Sequence, residues 1–225
     1  MTAPERLAAD RNGVASAARL VARAGLVEAF GHVSGRVDDG FLISSTRPLI
    51  AARVETVIEA DGDGAVADGT ADVPIETPMH AAIYRSRGDV GAICRTHSPA
   101  AVVAGATGEV PPVAHGLGGL SGEVRCCSYS DLVSDPEAAD RVASDLGGAS
   151  CLLLRGNGSV VVGKDLADAI VRAWYLEERC QVSSQVPEER AFSQEELELR
   201  SKWFDRESER AWAWLRQEYG MESAD

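Results

Sequence analysis

"ETPMHAAIYRSRGDVGAICRTHSPAAVVAG", residues 76–105, packs three elements into one run of chain. Thr77 is a natural N-cap, Pro78 suits a first helical position, and Met79, Ala82 and Ile83 fall on one face, so a helix should open just after Glu76. Val90-Gly91-Ala92-Ile93-Cys94 is β-rich and delivers Arg95 and His97 two residues apart, a spacing that turns both side chains to one face of a strand. Ser98–Ala106, rich in alanine and valine, reads as a short buried helix. Two histidines at positions 95 and 97 would suggest a metal clamp. An arginine cannot ligate a cation and carries a permanent charge of its own.

Upstream, Glu5–Ala24 places Leu7, Val14, Ala18 and Val21 at helical spacing and stops near Gly25. "FGHVSGRVDDGFLIS" then reads as a hairpin, with Val33 and Val37 flanking polar positions and Asp39-Gly40 as the turn signal before Phe41-Leu42-Ile43. The same hairpin grammar recurs over residues 58–74. Downstream, a strand is expected around Val124–Tyr129, followed by a helix capped by Ser134 with Pro136 in its first turn. "CLLLRGNGSVVVG" is two apolar strands around a Gly-Asn-Gly turn, and Asp165 caps a helix running through Leu166, Ile170, Ala173 and Leu176. After a linker at Ser183–Ala191, Ser193-x-x-Glu196 is a capping box that opens one long charged helix carrying Trp203, Phe204, Trp212 and Trp214. No period of 20–50 residues recurs, which excludes a solenoid.

With 225 residues and 45% apolar content, the chain can bury a full core in one domain. Its apolar runs are far shorter than the roughly 20 residues a membrane span needs, and residues 1–10 lack a signal-peptide core, so a cytoplasmic location is expected. Five cysteines without a CxxC pair read as free thiols, most of them packed as small hydrophobes. A net charge of −13 argues against nucleic-acid and anionic-membrane partners. It does not argue against a small anionic substrate, because one local arginine outweighs a distant field.

The ordered motifs "GHVSGR…GFLISS", "ETPMHAAIYRSRGDVGAICRTHSPAAVVAG" and "SCLLLRGNGSVVVGKDLADAI" resemble the class II aldolase/adducin superfamily, in its decarboxylase-like branch. The resemblance implies an α/β fold, a three-layer α/β/α arrangement with a central, mostly antiparallel sheet over residues 1–182. Residues 183–225 would form a helical extension packed on that domain or on a neighbouring subunit. It also implies a homo-oligomer, commonly a tetramer with active sites at subunit contacts. The family chemistry uses three histidines on a divalent metal and a glutamate. Glu76 matches the glutamate and His97 the second histidine of the His-x-His pair, whereas Arg95 stands at the first and Asn157 at the third. Any divalent metal would therefore rest on Glu76 and His97 alone and be weakly held. The Arg95 charge would oppose it by about 1–4 kcal/mol per unit charge at contact distance.

In the sugar-phosphate aldolases a Gly-Asn, a Thr-Gly and a Ser-Ser pair cradle phosphate. At the matching places this chain has Gly31-His32, Thr46-Arg47 and Pro74-Ile75, which removes most of the cradle. Arg47 could still take a carboxylate bidentately. The expected site is thus Glu76, Arg95 and His97 for catalysis, with His32, Thr46, Arg47, His115 and Asn157 around the substrate. His80 and Tyr84, four apart on their helix, read as packed structural residues. Three functions are compatible with this set. The first is a carbon–carbon lyase of decarboxylase or retro-aldol type acting on a nonphosphorylated carboxylate or carbonyl compound, with Arg95 and His97 doing what a metal does elsewhere. The second is an isomerase, dehydratase or cyclase that needs only enolisation. The third is an adducin-like binding protein.

Overall fold

The computed structural model describes residues 9–66 and 72–220. Helix α1 (Arg11–Arg23) is capped by Asp10, whose Oδ1 accepts from Gly13 N at 2.7 Å, and it ends at Gly25 with φ +72°. Its predicted start, including Leu7, lies outside the described residues. Strands β1 (His32–Val37) and β2 (Gly40–Ser44) form the predicted hairpin, and β3 (Val57–Asp61) adds antiparallel to β2. Part of the 58–74 repeat, residues 67–71, is outside the described residues. Next come α2 (Thr77–Ser86), β4 (Ala92–Thr96), α3 (Pro99–Thr107), β5 (Val124–Cys127), α4 (Pro136–Leu146), β6 (Cys151–Leu154), β7 (Ser159–Gly163) and α5 (Leu166–Ser183). The last described elements are α6 (Gln194–Ser201) and α7 (Phe204–Tyr219).

Among the described residues, seven strands form one mixed sheet in the order β3-β2-β1-β4-β7-β6-β5, antiparallel throughout except for the β5–β6 pair. Helices cover both faces. Because side chains alternate along a strand, Val33, Leu42, Cys94, Leu153 and Val161 go to one face, in a core shared with α1 and α5. Phe41, Ile43, Ile93, Leu152 and Val160 go to the other, under α2 and α4. Helix α7 buries Trp212 and Leu215 in the first of these cores. Among the described residues no helix is long and apolar enough to cross a membrane.

Four local expectations are corrected. Glu76, not Thr77, is the N-cap of α2. The Glu76 side chain makes no capping bond, and Thr77 Oγ1 instead donates back to Pro74 O at 2.6 Å. At α4 the cap is Asp135 rather than Ser134: Pro136 takes the first helical position, which makes the residue just before it the cap, and Asp135 Oδ1 accepts from Ala138 N at 2.9 Å. Helix α3 is not buried: only Ala101 and Gly105 are enclosed, and Val103 is 60% exposed on an apolar groove bordered by Trp174 and Trp214. The charged C-terminal segment opens with the predicted Ser193–Glu196 capping box but breaks at Lys202–Trp203 into two helices. The break lets Phe204 pack over Gly119 while α7 lies back on α5 and α1.

Candidate active site

The cluster is built where β1 meets β4. Their antiparallel register sets His32 opposite Arg95 and Ser34 opposite Ile93, and alternation turns all four toward α2. Two glycines hold the chain close at this point. Gly31 has φ +140°, and a Cβ there would lie 2.5 Å from Val27 Cγ1 and 2.9 Å from the carbonyl oxygen of Arg95. Gly158, with φ +71°, presses the β6–β7 turn onto Thr96 O and so brings Asn157 beside His97.

Arg95 has no exposed surface. Its Nε donates to Glu76 Oε2 at 3.0 Å and its Nη1 to Thr96 O at 2.8 Å. His32 Nε2 lies 3.3 Å from the same Glu76 Oε2. From His32 a chain of contacts continues inward: Nδ1 to His80 Nε2 at 2.7 Å, His80 Nδ1 to Ser34 Oγ at 2.7 Å, and Ser34 Oγ to the Tyr84 hydroxyl at 2.8 Å. His97, just past the end of β4, places Nε2 at 3.1 Å from Asn157 Oδ1 and its ring edge against Phe30. Among the described residues, three buried polar atoms here have no partner: Arg95 Nη2, Glu76 Oε1 and His97 Nδ1. The first is a donor and the second an acceptor. Because His97 Nε2 donates to Asn157, His97 Nδ1 is an acceptor as well. Buried polar atoms are rarely left unpaired, so this set of one donor and two acceptors fits a ligand that brings its own hydrogen bonds.

Burial alone would raise the pKa of Glu76, but the hydrogen bond from His32 and the charge of Arg95 overcome it and hold the carboxylate down to about 2. Burial, then the Arg95 charge, lowers His97 to about 4. Burial likewise keeps His32 and His80 below the ordinary imidazole range, and it pushes the Tyr84 hydroxyl up. At neutral pH the cluster is therefore one cation, one anion and three uncharged imidazoles.

These residues do not suit a divalent metal. The two acceptor atoms left for a cation, Glu76 Oε1 and His97 Nδ1, are too few to hold it, and Arg95, a permanent cation whose Nε lies 3.0 Å from Glu76 Oε2, opposes it. Among the described residues no three His, Cys, Asp or Glu side chains are grouped to hold an ion.

The structure brings Glu76, Arg95, His97, His32 and Asn157 together. His32 is buried with both ring nitrogens engaged, which leaves it as a partner of Glu76 rather than a contact for substrate. Thr46 and Arg47 are exposed and tied to Asp72, Arg47 by Nε and Nη2 to Oδ2 at 3.1 and 3.0 Å. His115 opens the Gly116–Ser121 turn on the opposite side of the sheet, where α5, α6 and α7 pack. Ser34 is not among the sequence-predicted site residues, and His80 and Tyr84, expected only to pack, join the polar cluster. The available signal was a polar pair, His32 and Ser34, on the same strand face as a polar pair four apart on α2.

The sequence profile described as "Class II Aldolase and Adducin N-terminal domain" matches residues 12–184. The chain is 30% identical over 196 residues to a 3,4-dihydroxyphthalate decarboxylase of Terrabacter sp., covering 80% of this chain and 82% of that protein. It is also 30% identical over 172 residues to a 5-methylthioribulose-1-phosphate/5-deoxyribulose-1-phosphate aldolase of Rhodospirillum rubrum, covering 75% and 77%. Among solved structures, an aldolase II superfamily protein from Pseudomonas syringae superposes with TM-score 0.76 at 25% identity, over 92% of this chain and 90% of that one. The L-fuculose 1-phosphate aldolase of Glaciozyma antarctica superposes with TM-score 0.74 over 94% and 91%; at 17% identity that likeness concerns the fold alone.

Proposed function

Since the chain belongs to the class II aldolase and adducin N-terminal domain family, we propose that it is a carbon–carbon lyase, a decarboxylase of small, nonphosphorylated hydroxy-carboxylates, in which Arg95 supplies the positive charge. The observation that carries this reading is the unpaired trio of Arg95 Nη2, Glu76 Oε1 and His97 Nδ1. A substrate with a carboxylate beside a hydroxyl group satisfies it. An oxygen next to the breaking bond accepts from Arg95 Nη2, a hydroxyl donates to Glu76 Oε1, and the hydroxyl next to the reacting carbon faces His97 Nδ1.

In this reading His97 Nδ1 takes the proton of that hydroxyl, leaving an oxyanion beside the guanidinium. The oxyanion pushes its electrons through to the carbon that bears the carboxylate; that carbon takes the proton back from His97, and the oxyanion becomes a carbonyl. The bond to the carboxylate then breaks, carbon dioxide leaves, and the electron pair of that bond returns to the carbonyl oxygen, re-forming the oxyanion beside Arg95. Solvent reprotonates this oxygen, so one proton is consumed overall. Glu76, held anionic by two donors on Oε2, is a poor proton carrier and serves to orient substrate and to balance Arg95. An incoming carboxylate offsets the Arg95 charge that depresses His97, which raises the imidazole toward the range a proton carrier needs.

The relative named for 3,4-dihydroxyphthalate decarboxylation supports this substrate class. So does the sequence at the phosphate positions of the aldolases, where Pro74-Ile75 offers no side-chain donor and Arg47 is committed to Asp72. The protein is further proposed to work as a homo-oligomer, with the exposed Phe30 and Ile75 beside the cluster covered by another copy. The test supplies 3,4-dihydroxyphthalate and 5-deoxyribulose 1-phosphate side by side and follows carbon dioxide and aldehyde release. Carbon dioxide from the first and nothing from the second is expected; cleavage of the sugar phosphate alone would overturn the reading.

A further inference from the structure

The contacts running inward from Glu76 can be given a direction, because each group has a fixed number of protons to offer. Glu76 is ionised and its Oε2 can only accept, so His32 Nε2 must carry the proton in that contact. His32 is a neutral imidazole, so its Nδ1 is then bare. His80 Nε2, 2.7 Å away, must be the donor. By the same reasoning His80 Nδ1 is bare and Ser34 Oγ donates its one proton to it. That leaves Ser34 Oγ as an acceptor, and the Tyr84 hydroxyl donates to it. Four consecutive bonds therefore point the same way, from Tyr84 to the carboxylate. None of the groups in between is charged, and Ser34 and His80 have no exposed surface while Tyr84 and His32 are nearly enclosed.

We propose that Tyr84, Ser34 and His80 are positioning residues, a one-way hydrogen-bond chain that locks His32 in its Nε2–H tautomer as a donor to Glu76 Oε2 and so keeps Glu76 Oε1 free for substrate. The inference rests on the lyase reading for what Glu76 Oε1 meets, but the direction of the chain does not. Its physical basis is exclusion. If His80 could not donate, the proton of His32 would be equally at home on Nδ1. Its Nε2 would then present a lone pair to a carboxylate, and the two acceptors would repel. The carboxylate would swing toward Arg95 Nη2, the unpaired buried donor of this cluster among the described residues, and both atoms reserved for substrate would be lost together.

The full chain has four histidines, few enough to follow singly by long-range proton–nitrogen NMR on protein labelled at the imidazole nitrogens. At pH 7, without substrate, His32 and His80 are expected as neutral rings with the proton on Nε2. His80→Leu removes the donor, and His32 should then show a mixed or inverted pattern. His80→Gln, whose amide can donate, should restore it. In turnover of the hydroxy-carboxylate that tests the lyase reading, His80→Leu should lower kcat about 10–100-fold, the range seen when partners that orient a site's first contacts are removed, with His80→Gln recovering most of it. A proton on Nδ1 of either ring, or a charged ring at pH 7, overturns the chain whatever the enzyme acts on. Correct tautomers with kcat unchanged in His80→Leu, while Arg95→Ala is inactive, overturn its positioning role and leave the lyase reading intact. Should no variant, nor the unaltered protein, turn over the substrate, the tautomer pattern and its rescue by His80→Gln still decide the chain. Should His80→Leu fail to fold, Ser34→Ala against Ser34→Thr makes the same comparison one link further in.

Discussion

The two faces of the central sheet are built from the same strands and solve opposite problems. Toward α1 and α5, strands β1, β4, β7 and β6 present Val33, Cys94, Val161 and Leu153, all without exposed surface and apolar in kind. Toward α2, the neighbouring positions of β1 and β4 present His32, Ser34 and Arg95, enclosed almost as completely. Burying the first set stabilises the fold by roughly 1.5–3 kcal/mol per large side chain. Burying an arginine and a glutamate costs several kcal/mol per ion before their attraction repays it. One face of the sheet thus holds the protein together, and the other spends part of that stability to keep a cation and an anion dry, where each acts on a ligand more strongly than it would in water.

The largest expected effect comes from breaking the ion pair. Arg95→Ala should cost about 10²–10³ in turnover, the range for removing one preorganised oxyanion partner. It should also destabilise the fold by about 3–5 kcal/mol, because Glu76 is left charged and buried. Replacing both partners with apolar residues, Arg95→Met with Glu76→Leu, should recover that stability, or exceed the original by about 1–4 kcal/mol, while remaining inactive. Denaturant unfolding beside turnover measures both, and a double variant less stable than Arg95→Ala would break the contrast.

On the apolar face the dissociation should run the other way. Leu153→Ala should lose about 2–5 kcal/mol of stability, yet each folded molecule should turn over at the original rate. A fall in kcat at a temperature where the variant is fully folded would show that the two faces are not separable.

A smaller effect separates the faces by pH. His97, His32 and His80 have folded pKa values below that of a free imidazole, so the unfolded chain binds their protons first. Their contribution is present above about pH 6.5 and is lost as pH falls toward 4, the value for folded His97. Glu76 adds a second loss between its ordinary 4.5 and about 2. Melting temperature should decline from pH 7 to 4, more shallowly in His97→Asn, and Leu153→Ala should be displaced downward at every pH without a change of slope. Equal slopes in the unaltered protein and His97→Asn would remove His97 from the account.

The faces also differ in how far the sequence discloses them. Elements set by local rules were legible: the Asp39-Gly40 hairpin, the Asp165 cap, the Ser193–Glu196 capping box and the apolar strands either side of Asn157 all follow from neighbours in the chain. Glu76, Arg95 and His97 were legible as a group through the motif that carries them. The polar chain behind them was not, because it depends on the β1–β4 register, which sets His32 opposite Arg95, and on α2 facing that pair. Periodicity reports that His80 and Tyr84 are buried and says nothing of what they touch. Arg47 shows the same limit: in the sequence its guanidinium has no visible partner, and the folded loop sets Asp72 beside it.

The claim that joins both faces is that a buried arginine does here the work of a metal ion. Its most direct test is carbon dioxide release from 3,4-dihydroxyphthalate by protein exhaustively stripped with a chelator, with and without added divalent cations, beside Arg95→Met treated alike. The stripped protein should turn over at the untreated rate, indifferent to added cations, and Arg95→Met should fall about 10²–10³ below it. Release that appears only when a divalent cation is restored, or that survives unchanged in Arg95→Met, would contradict the claim.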